Sequence, residues 1–78
     1  MEFNLYAIKD ELSAYTMPIA MENDELAKRH FRNQLVGNEI MKNSKKDFSI
    51  YRIGKYDIET GKLVAEEPTL LERGSNEI

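Results

Sequence analysis

The sequence predicts an α+β fold of the ββαββ type, a four-stranded antiparallel sheet in the order 2-1-3-4 with one helix packed on one face. Two-residue hydrophobic alternation occupies both ends of the chain, and a 3.6-residue apolar stripe interrupts it once, between Asp24 and Val36. Connections that are short, uncrossed and right-handed then leave few topologies. If the strand after the helix pairs beside the first strand, the helix becomes a split β-α-β crossover and the order 2-1-3-4 follows.

Strand one is Phe3 to Lys9, with Phe3, Leu5 and Ala7 on one side and Asn4, Tyr6 and Ile8 on the other. Asp10 to Ala14 is polar and turn-prone. Strand two runs from Tyr15 to Met21, and because Pro18 cannot donate a ladder hydrogen bond, it belongs at the sheet edge. Asn23 or Asp24 caps the helix, whose stripe is Leu26, Ala27, His30, Phe31, Gln34 and Leu35, and Gly37 stops it. From Asn38 to Asp47 the pattern is weaker: Ile40 and Met41 can seat a helical turn on the core, and Asn43 to Lys46 reads as an exposed loop. Strand three is Phe48 to Tyr56, with Gly54 marking a bulge or a close backbone approach. Asp57 to Lys62 is a hairpin turn in which Asp57 accepts from amides ahead of it and Gly61 takes positive φ. Leu63 to Glu66 returns as strand four, Pro68 breaks it, and Thr69 to Leu71 adds a last extended piece. Residues 1–78 read as one domain, with 73–78 as a fraying tail.

A single helix covers only one face of such a sheet. With Phe3, Leu5, Met17, Ile19, Met21, Phe48 and Ile50 placed under Leu26, Phe31 and Leu35, the outer face shows Asn4, Tyr6, Ile8, Thr16, Ala20, Ser49, Tyr51 and Ile53. That face is too apolar to be left to water. It calls for a second subunit, a nucleic acid or the chain's own Leu70-Leu71 segment.

The 78 residues include no cysteine, which excludes a disulfide framework, a thiolate nucleophile and a Cys-based zinc site. A chain this short has a core that usually supplies only about 3–5 kcal/mol, so dimerisation is the remaining way to reinforce it. Neither a membrane span nor a signal peptide is visible, and the expected location is a reducing cytoplasm. The formal charge of −3 argues against indiscriminate nucleic-acid binding, but it conceals a polarity: −3 over residues 1–22, +3 over 23–52 and −3 over 53–78.

The basic segment holds Lys28, Arg29, Arg32, Lys42, Lys45, Lys46 and Arg52, a set able to track phosphates with salt-sensitive binding. Tyr6 and Tyr51, on the two central strands, can stack bases or pack an interface. His30 is the sole histidine and has no ligand set around it, so no metal site is expected. The carboxylate pairs Asp57/Glu59 and Glu66/Glu67 lie in a turn or on opposite strand faces, without a protected cleft. Phosphate-loop and nucleophile motifs are also missing, so the chain reads as a non-enzyme with no catalytic residues and no cofactor.

Leu5-Tyr6-Ala7-Ile8-Lys9-Asp10, the Pro18 strand, Asn23-Asp24 opening a helix with Ala27-Lys28-Arg29, and above all Phe48 to Asp57 followed by Glu59-Thr60-Gly61-Lys62-Leu63 carry a family likeness. Together with the late Arg73-Gly74-Ser75, they resemble the small nonstructural protein of gokushoviruses, single-stranded DNA microviruses of bacteria. The resemblance covers nearly the whole chain. It implies a phage protein absent from the virion that acts in genome replication in the host bacterial cytoplasm, by binding DNA or by helping the switch from duplex replication to single-strand synthesis and packaging. Combined with the charge map, it leads to the expectation of a dimeric accessory protein that binds single-stranded DNA. The alternative is an interaction module whose open sheet face docks a viral or host replication protein, or its own copy.

Overall fold

The computed structural model describes residues 1–77. Its elements are β1 (Glu2–Asp10), β2 (Ile19–Met21), α1 (Asp24–Gly37), a short helix α2 (Glu39–Lys42), a 3-10 turn (Lys45–Asp47), β3 (Phe48–Asp57) and β4 (Leu63–Arg73). They form one antiparallel sheet in the order β2-β1-β3-β4, with α1 on one face, as the periodicity predicts.

The helix starts where its cap allows. The Asn23 side chain accepts from the Leu26 amide at 2.9 Å, and Asp24 and Glu25 sit in the first turn, where carboxylates meet the positive end of the helix dipole. Asn38 closes α1 with its amide on the Gln34 carbonyl and opens α2 with its side chain, which accepts from the Ile40 and Met41 amides. One asparagine thus joins the two helices and turns Met41 into the core.

β2 is shorter than the alternation suggests. Lys9 and Tyr15 form an isolated bridge, and regular pairing resumes only at Ile19, beyond the proline that lacks an amide. β4 is longer than expected and runs through Pro68. Arg52 pairs with Thr69 and Gly54 with Ala65, so Glu66, Glu67 and Pro68 bulge opposite Ile53 on an edge strand, where a missing donor costs little. At the β3–β4 turn, Gly61 has φ 76° and Asp57 accepts from the Glu59 and Thr60 amides at 2.9 and 3.4 Å. These bonds, Glu59 first, hold the Asp57 carboxyl below its usual range. β4 extends to Arg73 and the Gly74 amide donates to the Phe48 carbonyl at 2.8 Å, so the tail expected to fray is anchored at its start, while Ile78 lies outside the described residues.

The assignment of β1 to faces is corrected. The core under α1 joins Tyr6 and Ile8 of β1 to Ala27, Phe31, Leu35, Met41, Phe48 and Ile50, with Met21 and Leu71 packed against it. Register decides this: Ile8 lies opposite Ile50 and Tyr6 opposite Arg52, so Tyr6 and Ile8 share the helix face with Phe48, Ile50 and Arg52. Met17 and Ile19, expected inside, are 84% and 41% exposed. Both sets of alternate residues on β1 are apolar, and alternation alone could not choose between them.

Candidate nucleic-acid interface

Tyr6 does not lie beside Tyr51. It is 1% exposed beneath α1, and its hydroxyl donates to Asp24 Oδ1 at 2.8 Å while accepting from Asn4 Nδ2 at 3.0 Å. No base can stack there. Asp24 Oδ2 accepts from Arg52 Nη1 at 2.7 Å, and Arg52 Nε faces Glu66 Oε1 at 3.5 Å. Tyr6, Asp24, Arg52 and Glu66 therefore tie β1, the start of α1, β3 and β4 together. Asp24 holds the Arg52 guanidinium above its ordinary pKa, and burial pushes the Tyr6 hydroxyl up to about 12.

That shift has a consequence in alkali. A folded-state pKa above the unfolded value of about 10 contributes stability fully below pH 10, which is lost as pH rises toward 12. The loss is on the order of 2 kcal/mol. Tyr6→Phe is expected to remove this part of the alkaline decline, measured as urea unfolding at pH 8 and pH 11. An unchanged pH slope in the variant would show that Tyr6 is not its source.

The basic residues are divided by their partners. Arg32 is held in a two-pronged pair with Glu72, Nε to Oε2 at 2.8 Å and Nη2 to Oε1 at 2.6 Å, which raises its pKa. Lys28 and Lys42 pair with Glu25 and Glu39 one turn back, at 3.5 and 3.0 Å. Lys45 and Lys46 belong to the 3-10 turn. Among the described residues, Arg29 and Lys46 form no ion pair, and Arg29 borders a groove of about 380 Å³ between β2 and α1 with Phe3, Met21, Leu26, His30 and Asn33. The seven cations are thus not one continuous phosphate track: Arg32 and Arg52 mainly brace the fold.

The face away from α1 carries a tighter cluster. The β1–β2 connection folds back along β1, the Asp10 amide donating to Ala14 and the Thr16 amide to Ile8, and this brings Tyr15 over the sheet. Its ring meets Tyr51 edge to face, with centroids 5.5 Å apart, and Lys9 Nζ sits 5.2 Å from the Tyr15 centroid. The Tyr51 hydroxyl donates to Glu11 Oε2 at 2.8 Å, and Lys9 Nζ lies 3.4 Å from Glu11 Oε1. This pairing raises the Tyr51 pKa and lowers that of Glu11. Leu70 lies opposite Tyr51 and is 46% exposed, and Arg73 of the same strand pairs with Ser49, which puts it on the same face. Ala7 and Ser49 are buried on this face, so the outer side of the sheet is partly covered by the chain itself.

Of the expected stacking residues only Tyr51 is here. Lys9, Glu11, Tyr15 and Arg73 join it although the sequence did not single them out. The available signal was the short polar turn from Asp10 to Ala14, which sets Lys9 against Tyr15 once the two strands pair.

No helix among the described residues is long and apolar enough to cross a membrane. No match to this chain was found among curated proteins or solved structures. The model of one protein family, described as Phage ORF5 protein, matches residues 3–77, nearly the entire chain. A chain covered to that extent, strand by strand through the whole sheet and its helix, belongs to the Phage ORF5 protein family.

Proposed function

We propose that this phage protein binds single-stranded DNA without catalysing a reaction, as a dimeric accessory factor of genome replication in the host bacterial cytoplasm. One observation carries the reading: the outer sheet face presents the Tyr15 and Tyr51 rings at 5.5 Å with Lys9 beside them and Arg73 on the same face opposite Ser49. Aromatic faces accept any base, and flanking cations meet the phosphates on either side. Lys46, free of ion pairs among the described residues, lies in the 3-10 turn whose Asp47 carbonyl accepts from the Glu11 amide, whereas Arg29 lies on α1, across the sheet from this face. The likeness to the gokushovirus nonstructural protein supports the same reading.

The test is a fluorescence anisotropy titration with oligothymidine at two salt concentrations. Binding is expected to weaken with salt, by a slope of about −0.7 for each phosphate contact. Tyr51→Ala is expected to weaken it by about 1–3 kcal/mol, one lost stack. Absence of binding at low salt, or binding indifferent to salt, would overturn the proposal.

A second reading rests on a separate observation. Leu63, Val64 and Leu70 of the edge strand β4 are 64%, 46% and 46% exposed, a surface suited to a replication protein or a second copy. That reading expects Tyr51→Ala to weaken assembly measured by light scattering, with no oligonucleotide bound at any salt concentration.

A further inference from the structure

We propose that Glu11 makes the outer face selective for guanine, its carboxylate accepting the N1–H and N2–H donors of a guanine stacked on the Tyr15–Tyr51 surface. This rests on the single-stranded DNA reading above and names the base that the same site prefers.

A carboxylate on a surface built for a polyanion is unfavourable unless it is neutralised and used. Glu11 is neutralised in part by Lys9, 3.4 Å from Oε1, and its Oε2 takes the Tyr51 hydroxyl at 2.8 Å. An ionised carboxylate has about four lone-pair sites, so the Tyr51 hydroxyl, Lys9 and the nearby Ser49 hydroxyl do not use all of them. The side chain is 23% exposed and can be reached from solvent. It is also held in place, because the Glu11 amide donates to the Asp47 carbonyl at 2.7 Å and the carboxylate is anchored to a central strand through Tyr51. The Tyr51 hydroxyl keeps Glu11 ionised by lowering its pKa.

Single strands leave Watson–Crick edges free to be read. Guanine alone among the four bases places two adjacent N–H donors on that edge, at the spacing of two carboxylate oxygens. Adenine and cytosine offer one amino group beside an acceptor, and thymine offers one N–H between two carbonyls that a carboxylate repels. Lys9, over the Tyr15 ring, and Arg73, opposite Ser49 on β4, supply positive charge on this face for the phosphates flanking the stacked base.

The experiment uses the full chain and oligothymidines carrying one central dG, dA, dC, inosine or 7-deazaguanine, compared by anisotropy at one low salt concentration. The dG oligomer is expected to bind at least about fivefold tighter than the all-thymidine strand, the lower end of what a two-bond base contact gives. Inosine, lacking the N2 amine, should lose most of that gain. The 7-deazaguanine strand, altered only on the opposite edge, should keep it. Glu11→Gln still accepts from Tyr51 but offers a single oxygen, so it should bring the ratio of dG-strand to oligothymidine affinity close to one, whatever its affinity for oligothymidine itself.

If the parent binds the dG strand within twofold of the all-thymidine strand, or Glu11→Gln keeps the dG preference, Glu11 does not select the base although the DNA-binding reading stands. If no strand binds at low salt, that reading and the selectivity fall together. A residue that merely positioned Tyr51 would change affinity for every strand equally, and the ratio between dG and dT strands would not move.

Discussion

Phe31→Ala is expected to leave the chain largely unfolded at 25 °C. Phe31 is fully buried at the centre of α1, in the cluster of Tyr6, Ile8, Ala27, Leu35, Met41, Phe48 and Ile50 that joins the helix to the sheet. Removing a buried phenylalanine costs about 3–5 kcal/mol through lost transfer energy and the cavity left behind. A core in a chain of this length supplies about as much in total. Helix propensity is not the cause, since alanine is the better helix former. The measurement is urea unfolding followed by circular dichroism, with Val36→Ala as the companion. Val36 is 54% exposed near the end of the same helix, and its replacement should cost less than about 0.5 kcal/mol. A cooperative transition in Phe31→Ala close to that of the parent would mean that the helix is not held by this contact.

Gly54→Ala is the second large effect. A Cβ at residue 54 would run into the backbone carbonyl oxygen of Val64, on the neighbouring strand, and a backbone atom cannot turn aside as a side-chain end can. The glycine sits where two irregularities meet: β1 and β3 shift register between Leu5 and Tyr6, and β3 and β4 shift between Arg52 and Gly54. Its replacement is expected to separate Leu63 to Ala65 from β3 and to cost about 2–3 kcal/mol, or roughly 10–20 °C in melting temperature. The pairing of Leu70 and Glu72 with Tyr51 and Ile50, on the far side of the bulge, should persist. Amide exchange by NMR reads the two halves separately. Gly37→Ala provides the contrast, because a Cβ there has nothing within 4 Å and the residue ends α1 without positive φ. It should be neutral or slightly stabilising. Equal effects from Gly37→Ala and Gly54→Ala would show that close approach at residue 54 is not the constraint.

These two positions show which parts of the molecule were legible in the residues. Gly54, Gly61 and Asn23 declare backbone requirements locally, and each is found where its chemistry places it, whereas Pro18 lies just before the shortened β2 and not within it. Pro68 was misleading. A proline in a run normally ends a strand, but the bulge from Glu66 to Pro68 on the sheet edge lets β4 continue. Phe31 and Leu35 declare the inner face of α1 because only one stripe of that helix is apolar. In β1 both sets of alternate residues are apolar, and the side chosen depends on the pairing of Ile8 with Ile50, forty-two residues along the chain. Tyr6 goes inward where its hydroxyl finds Asp24, and Tyr51 stays outward with Glu11 and Tyr15.

The candidate site follows the same division. Charge along the chain marks a positive segment, yet Arg32 is committed to Glu72 and Arg52 to Asp24 and Glu66, partners that no local pattern reveals. The cluster around Tyr51 draws Lys9, Glu11 and Tyr15 from one turn and Leu70 and Arg73 from the opposite end of the chain.

By itself the sequence determined the elements, their order and the sheet topology, because hydrophobic period, capping residues and turn residues act over a few positions and connection rules do the rest. The tertiary structure alone decided which side of β1 meets the helix, which cations remain available and which tyrosine faces outward. Those outcomes depend on strand register and on contacts between residues far apart in the chain, such as the ion pair of Arg32 with Glu72 and the hydrogen bond of Tyr51 to Glu11, whose energies exist only once the sheet has closed.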